Sequence, residues 1–355
     1  MRLKRVDTAR PGLTRVRRGR GFSYLDAAGT RIDDEATISR IRELAIPPAW
    51  REVWISPLAA GHIQATGVDA AGRKQYLYHP DWRDQRDREK FASMLEFARA
   101  LPDLRLAIAA DLERPGVDRE RVLAVAARLL DLGCFRIGGE SYADENESYG
   151  LATLRKDHAR VTATKAVFDF PAKSGRRRVQ SIVDPAVIPV LRTLRRRRGG
   201  GEDLLAFKRG RRWVDVRSSD INEYIKAHTG ESHSAKDFRT WNGTVAAALF
   251  VADAEPPTSK TAARRGVTSA VNQVAEYLGN TPAVCRRSYI DPRVLRRYEA
   301  GTTIAPAIAE LGDRGAIRAL ENYEELGPLA AKGHIERAVL DLIERPQDGR
   351  LRAAA

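Results

Sequence analysis

The sequence predicts an α+β protein, with a small β-rich N-terminal domain and a larger, mainly α-helical domain that carries one β-hairpin. Three observations predict this fold class. Residues 22–79 hold short runs of aromatic and β-branched residues, broken by Gly, Pro and Asp. From about residue 88 the apolar residues recur with a helical period. Residues 159–183 interrupt that period with two β-like arms.

Four short runs predict the strands of the N-terminal domain. They are "FSYLD" (22–26), "VWIS" (53–56), "HIQAT" (62–66) and "QYLYH" (75–79). The segment "IPPAW" (46–50) cannot be helical through its prolines. The charged run at 81–91 then begins a helical pattern. We therefore expect a β-rich domain over residues 1–87.

Amphipathic patterns predict the helices of the second domain. The predicted helices cover 90–101, 118–132, 185–197, 218–228, 236–252, 258–278, 304–311, 313–325 and 333–345. Between them, "PAKSGRRR" reads as the turn of a hairpin with Gly175 near its tip. We expect this domain to cover 88–345, with a flexible tail over 346–355.

The charge balance favours a polyanionic partner. Lys and Arg number 61 against 47 Asp and Glu, which gives a net charge of +14. Such a surface binds nucleic acid by releasing the counterions of its phosphates, although a basic surface without a partner is the alternative.

Several function classes lack their sequence signals. The two cysteines, Cys134 and Cys285, form no CxxC pair and no zinc spacing with the histidines, which fits a reduced cytoplasm. No apolar run approaches the roughly 18–20 residues of a membrane span. There is neither a GxxxxGK[ST] nor an HExxH motif, so the sequence predicts no nucleotide-driven step and no metal dependence.

Chemistry on a phosphodiester needs a nucleophile in line with the leaving oxygen, cations on the nonbridging oxygens, and an acid for the departing alkoxide. Arginine suits the second role because its planar fork binds phosphate and stays charged. Four stretches supply candidates: Arg136 in "GCFRIGGE", Lys173 in "PAKSG", Arg239 in "SAKDFRTW", and Asn280 with Tyr289 in "YLGNTPAVCRRSYIDP".

Together these motifs, "FRIG…GLATL", "KDFRTW" and "LGNTP…RRSY", resemble the small type IB DNA topoisomerases of the bacterial and poxvirus type. The segment 46–83 is also similar to the N-terminal cap of that family, and the resemblance covers about 22–300. It implies that residues 1–87 form a DNA-clamp domain and that the second domain is catalytic, like that of tyrosine recombinases.

The resemblance also implies a role for each candidate. Arg136 and Arg239 would hold the scissile phosphate, Lys173 would protonate the leaving 5′ oxygen, and Tyr289 would become 3′-phosphotyrosyl. Asn280 stands where many members carry histidine. Asparagine can donate a hydrogen bond to a nonbridging oxygen but cannot carry charge, so one source of pH dependence is expected to be absent.

The implied partner is duplex DNA, preferably supercoiled, bound by a monomer in the cytoplasm, associated with the nucleoid and not with a membrane. Neither ATP nor an obligatory metal is implied. The DNA contacts expected from the resemblance come from Arg73, Lys74, Tyr76, Tyr78, Tyr142, Lys156 and Lys236. Gly139 stands where some relatives have lysine, which removes one possible base contact.

Alternatives remain for single residues. Tyr289 could be a half-buried aromatic at a helix end, and Tyr76 or Tyr78 could pack inward. Asn280 could be a left-handed helix cap before a proline. The role of Lys173 could belong to another lysine, and the candidates are Lys156, Lys165 and Lys208.

Two alternatives remain for the whole chain. A tyrosine recombinase shares the catalytic residues, but it usually has histidine three residues before the second arginine, where this chain has Lys236. A non-catalytic DNA-binding protein would explain the charge but not the phosphate-handling residues in family order.

Overall fold

The structure is a computed structural model that describes residues 2–133, 135–140, 143, 147–310 and 329–345. The chain divides into two compact units, Met1–Ala92 and Ser93–Ala355. The fold class is α+β, as predicted, since one sheet fills most of the first unit and helices dominate the second. Among the described residues, no helix has both the length and the apolar composition needed to cross a membrane.

An antiparallel sheet of five strands forms the first unit. The strands are β1 (Leu13–Arg18), β2 (Gly21–Leu25), β3 (Arg51–Ile55), β4 (Ile63–Val68) and β5 (Lys74–Tyr78). Their order is β2-β1-β3-β4-β5. One helix, α1 (Glu35–Glu43), begins after Asp34, whose side chain accepts from the Thr37 amide at 2.9 Å. It buries Ile41 in a core that includes Ile55 and Ala65.

The four predicted strands correspond to β2 through β5, whereas β1 and α1 were not predicted. Strand β1 reads "LTRVRR", and half of its residues are arginine, which hides the apolar pattern. Arg15 is accommodated because its guanidinium donates to the carbonyls of Ile46 (3.0 Å), Pro47 (2.9 Å) and Trp50 (2.9 Å). The non-helical "IPPAW" segment therefore supplies acceptors to a neighbouring strand.

Helices form most of the second unit, and the first of them begins in the first unit. They are α2 (Pro80–Leu112), α3 (Arg119–Gly133), α4 (Val187–Arg196), α5 (Ser218–Thr229), α6 (Ala235–Asp253), α7 (Lys260–Leu278), α8 (Pro282–Ser288), α9 (Pro292–Glu299), α10 (Ala305–Glu310) and α11 (Leu329–Glu344). Helix α6 is buried from Phe238 to Val251, and most of these residues are apolar or small. The division between the units lies inside α2, and the predicted domain limits of 1–87 and 88–345 stay predictions.

Two small antiparallel groups of strands interrupt the helices. Strands β6 (Ala159–Val161), β7 (Ala166–Ala172) and β8 (Arg176–Ile182) pair in that order, and β9 (Ala206–Arg209) pairs with β10 (Arg212–Asp215). The predicted hairpin is confirmed as β7–β8, joined by a 3-10 turn over Lys173–Gly175. Gly175 has a φ of +68°, a left-handed conformation that glycine adopts without strain.

Buried ion pairs attach helix α11 to the rest of the second unit. Asp131 of α3 accepts from Arg105 (Nε, 2.9 Å) and from Lys332 (Nζ, 2.7 Å). Arg105 also donates to Glu336 (2.6 Å), which accepts from the indole of Trp241 (3.1 Å). The network thus joins α2, α3, α6 and α11. The predicted helix 313–325 and the predicted tail 346–355 lie outside the described residues.

Candidate active site

Arg136 lies in the loop that follows α3, and the backbone of that loop is held by close glycine packing. The Arg136 carbonyl accepts from the Leu151 amide at 2.8 Å. Gly138 has a φ of +82°, and a Cβ on Gly150 would lie 2.4 Å from the Gly138 nitrogen. A side chain on either Gly138 or Gly150 would block this approach, so the first glycine of the Gly-Gly break after Arg136 is required by the packing of the loop.

Three guanidiniums surround the C-terminal end of α7. They donate to three consecutive carbonyls: Arg178 to Tyr277 (3.0 Å), Arg239 to Leu278 (2.8 Å) and Arg136 to Gly279 (3.1 Å). The last carbonyls of a helix lack partners within it and form the negative end of its dipole, so cations are favoured there. This helix end therefore gathers two of the predicted site residues, together with an arginine that sequence reasoning missed.

Asn280 follows the end of α7 and contacts Arg136 directly. Its Oδ1 accepts from the Arg136 guanidinium, a group that only donates, so Nδ2 faces the other way. Nδ2 is buried and has no partner among the described residues. The residue with left-handed geometry is Gly279 (φ +62°, ψ +46°). The alternative that Asn280 is the left-handed cap is therefore wrong.

Tyr289 and Arg239 meet on one face of α6. The guanidinium carbon of Arg239 lies 5.2 Å from the centroid of the Tyr289 ring, and Arg239 is only 4% exposed. One helical turn after Arg239, a Cβ on Gly243 would lie 2.7 Å from the Tyr289 carbonyl oxygen. That oxygen accepts from the Thr244 hydroxyl at 3.3 Å. Helix α6 thus fixes the arginine and the backbone of the tyrosine together.

Lys173 lies at the exposed tip of the β7–β8 hairpin. It lines the same groove as Arg136, Arg178 and Gly279. The three alternative lysines are all described by the structure, and none of them lines this groove: Lys156, Lys165 and Lys208. Lys173 is therefore the lysine that the groove places with the arginines.

The surroundings lower the pKa of Arg136 to about 10. Burial is the main cause, and the positive charge of Arg239 adds to it. Arg136 remains charged at neutral pH, although burial and the neighbouring charge disfavour its charged form. A bound anion would offset this electrostatic cost. Burial also raises the pKa of the Cys285 thiol to about 11, so this thiol is neutral and unreactive.

On strand β5 of the first unit, the basic and aromatic residues expected to contact DNA are exposed. Tyr76 and Tyr78 are 41% and 36% exposed, and their rings stack with centroids 6.0 Å apart. The alternative that one of them packs inward is wrong. The Lys74 ammonium lies 5.7 Å from the Tyr76 ring centroid. Arg73, by contrast, pairs with Asp69 at 3.0 Å.

The other expected DNA contacts belong to the second unit. Lys236 is exposed in the first turn of α6, one turn before Arg239. Lys156 lies 3.8 Å from a carboxylate oxygen of Glu202. Tyr142 lies outside the described residues. Within the part of the chain that the structure describes, no three His, Cys, Asp or Glu side chains form a group that could hold a metal ion.

Sequence reasoning missed Arg178, Gln180 and Gly243. The spacing of the first two could have been noticed in the sequence. Arg178 and Gln180 lie two residues apart on β8, so their side chains point to the same side of the strand. Their acceptors are main-chain carbonyls, which no side-chain motif encodes. Gly243 sits within the apolar run of α6, where its role depends on a backbone that follows much later in the chain.

Comparisons with known proteins identify the family of this chain. The family profile described as "Eukaryotic DNA topoisomerase I, catalytic core" matches residues 79–312, and that described as "Bacterial DNA topoisomerase IB, N-terminal domain" matches 21–69. The chain is 29% identical to "DNA topoisomerase 1B" of Acanthamoeba polyphaga mimivirus over 81% of this chain and 88% of that protein.

Two further relatives extend the comparison. "DNA topoisomerase I" of monkeypox virus is 21% identical over 74% of this chain and 82% of its own length. "DNA topoisomerase 1" of Candidozyma auris is 32% identical over 44% of this chain, which covers only 20% of that longer protein. Since the catalytic-core profile spans more than half of the sequence, this chain belongs to the type IB DNA topoisomerases, a family of isomerases.

Proposed function

We propose that this protein relaxes supercoiled duplex DNA by cutting and resealing one strand through Tyr289. The phenolic oxygen of Tyr289 attacks a backbone phosphorus and forms an ester bond to the 3′ side. The bond from phosphorus to the 5′ oxygen breaks, and the Lys173 ammonium donates its proton to that oxygen. The phenolic proton passes to water.

Arg136 and Arg239 hold the nonbridging oxygens while charge builds on them. The amide Nδ2 of Asn280, which is buried and has no partner among the described residues, donates a further hydrogen bond to the same phosphate. The observation that supports these roles best is the gathering of Arg136, Arg239, Asn280 and Tyr289 around the end of α7.

The cut strand then rotates about the intact one, and the free 5′ hydroxyl attacks the phosphotyrosine to restore the duplex. The ester keeps the energy of the broken bond, so resealing needs neither ATP nor an obligatory metal ion. We further propose that the protein acts as a monomer in the cytoplasm, associated with the nucleoid. Residues 1–87 serve as the DNA-clamp domain and contact DNA through the exposed face of β5.

Relaxation of a negatively supercoiled plasmid tests this function. The wild-type protein is expected to relax it without ATP and in the presence of a chelator, and Tyr289→Phe is expected to bind DNA without relaxing it. Relaxation by Tyr289→Phe would show that the nucleophile is wrong. A wild type that binds but never relaxes DNA would favour a non-catalytic DNA-binding protein.

A tyrosine recombinase is the second candidate, because it shares the catalytic residues. Lys236 stands where recombinases usually have histidine, and the β-rich first unit differs from their usual helical N-terminal domain. Relaxation of plasmids of any sequence by a monomer would exclude the recombinase, whereas tetramers on paired specific sites would support it.

A further inference from the structure

Two residues on one face of β8 tie the hairpin to the ends of two helices. Arg178 donates to the carbonyl of Tyr277 in the last turn of α7 at 3.0 Å. Gln180 donates to the carbonyl of Gly133, the last residue of α3. Arg178 also donates to the Gln180 side chain at 3.3 Å. The side chains therefore form one continuous link from α7 across β8 to α3.

Each of these helix ends leads directly to a residue of the proposed active site. Arg136 follows Gly133 in the loop after α3, and Asn280 follows the left-handed turn at the end of α7. The hairpin that holds Lys173 at its tip is therefore attached at its base to the two segments that place Arg136 and Asn280.

The turn at Gly279 is shaped around the Arg178 guanidinium. A Cβ on Gly279 would lie 2.7 Å from Nη1 of Arg178, and the φ of +62° at this residue already favours glycine. The like charge of Arg178 contributes to the lowered pKa of Arg136. A third guanidinium is therefore kept beside two others despite repulsion, which points to a role beyond charge balance.

We propose that Arg178 and Gln180 are positioning residues that hold the β7–β8 hairpin so that Lys173 reaches the leaving 5′ oxygen. This inference rests on the proposed function, in which Lys173 is the proton donor. Arg178 acts through the hairpin, and the competing explanation is that its guanidinium binds the scissile phosphate itself.

A substrate with a better leaving group separates these two explanations. A duplex with sulfur in place of the bridging 5′ oxygen at one site releases a thiolate, which needs no proton donor. The slow cleavage caused by loss of a residue that positions the proton donor should then be rescued on the sulfur duplex. The slow cleavage caused by loss of a phosphate contact should not be rescued. The readout is the single-turnover rate of covalent complex formation on matched oxygen and sulfur duplexes.

We expect Arg178→Ala to slow cleavage of the oxygen duplex by about 10- to 100-fold, the usual cost of a misplaced catalytic group. On the sulfur duplex its rate should lie within about threefold of wild type, as should that of Lys173→Ala. Gln180→Ala should show the same pattern with a smaller loss. Arg136→Ala should stay slow on both duplexes, because it acts on the phosphate.

The matched control is Arg177→Ala. It removes the same charge from the adjacent residue, which also lines the groove, but Arg177 pairs with Asp169 of β7 at 2.7 Å and not with a helix end. Its rate should remain near wild type on both duplexes. Arg178→Lys, which keeps one donor for the Tyr277 carbonyl, should fall between wild type and Arg178→Ala, and it replaces that variant if thermal unfolding shows Arg178→Ala to be misfolded.

Equal slowing of Arg178→Ala on both duplexes would overturn the inference and assign Arg178 to the phosphate. A wild-type rate for Arg178→Ala on the oxygen duplex would overturn it as well. Failure of the proposed function would give other results. Either the wild-type protein would cleave neither duplex, or the cleavage rate of Lys173→Ala would stay low on the sulfur duplex.

Discussion

The guanidinium carbon of Arg239 lies 5.2 Å from the centre of the Tyr289 ring, and both residues depend on one buried face of α6. Arg239 belongs to that helix, and Gly243 lets the backbone of Tyr289 approach it. The nucleophile and one phosphate ligand of the proposed reaction are thus placed by a single rigid element. Accurate placement of the reacting groups supplies much of the rate acceleration in a reaction of this kind.

Gly243→Ala should displace the nucleophile. The new methyl would lie 2.7 Å from the Tyr289 carbonyl oxygen and 3.2 Å from its Cβ, and backbone cannot give way as a flexible side chain can. We expect a loss of about 1–3 kcal/mol in the free energy of unfolding. We also expect covalent complex formation to slow by about 100-fold.

Gly333→Ala on α11 is the matched control, because a Cβ there meets no atom within 4 Å. It should leave the cleavage rate unchanged and raise the stability by up to about 1 kcal/mol. A wild-type cleavage rate for Gly243→Ala would contradict the placement of Tyr289 by α6.

Substitutions of Asn280 should separate its two contacts. Asn280→Ala removes both the acceptor for Arg136 and the donor proposed for the phosphate, and we expect cleavage to slow by about 100-fold. Asn280→Asp keeps an acceptor for Arg136, but it removes the donor and adds negative charge beside the phosphate. It should therefore be slower than Asn280→Ala in the same single-turnover assay. If Asn280→Asp were the faster of the two, the amide would have no role at the phosphate.

Asp131 should make the stability of the second unit depend on pH. Burial alone would raise the pKa of Asp131, but the charges of Lys332 and Arg105 outweigh burial and hold it well below its usual range. A carboxyl whose pKa is depressed by folding stabilises the protein above its unfolded pKa of about 4. That contribution is lost as the pH falls through the folded pKa.

Asp131→Asn should therefore cost about 3–5 kcal/mol near pH 7, since it removes the buried charge that pairs with Lys332 and that shares Arg105 with Glu336. Denaturant unfolding should show that the difference in unfolding free energy between wild type and Asp131→Asn is smaller at pH 3 than at pH 7. Asp169→Asn, which breaks a surface pair with Arg177, is the control, and it should lower the free energy of unfolding much less than Asp131→Asn does. A small loss of unfolding free energy in Asp131→Asn at pH 7 would contradict the stabilising role of the network.

Two adjacent cations, Lys74 at the start of β5 and Arg73 just before it, should contribute differently to DNA binding. Lys74→Ala, measured in the Tyr289→Phe background, should reduce the slope of log K against log salt by about 1. Arg73→Ala should reduce it less, because Arg73 is already paired with Asp69. Equal effects would mean that the Asp69 pair opens on DNA, and no effect of either would contradict the DNA contact assigned to this strand.

The sequence predicted the elements whose signal is local. The apolar run of α6 was predicted at 236–252 and lies at Ala235–Asp253, and the β7–β8 hairpin was predicted from its glycine and flanking strands. Strand β1 was missed because the acceptors that accommodate Arg15 come from a distant segment. The run "LRTLRRRRGGGED" (191–203) contains four consecutive arginines, and the sequence alone does not show which of them is buried. Arg197 of that run is buried, and its guanidinium donates to the carbonyls of Leu194 and Leu204.

The candidate site divides in the same way. Arg136, Lys173, Arg239, Asn280 and Tyr289 were found because each belongs to a recognisable motif. The contacts that arrange them were not predictable, since the acceptors of Arg178 and Gln180 are backbone carbonyls of other segments. Asp131 and Glu336 likewise share Arg105 although they are far apart in the sequence. Such contacts exist only once the chain has folded.

Covalent trapping on duplex DNA tests the central claim most directly. The protein is mixed with a nicked or supercoiled duplex, and the reaction is stopped with denaturant while it proceeds. The complex is then digested, and the DNA-linked peptide is identified by mass spectrometry. The account predicts a single adduct that joins the 3′ end of the cut strand to the peptide containing Tyr289, and none with Tyr289→Phe. Attachment to any other residue, or to the 5′ end, would contradict it.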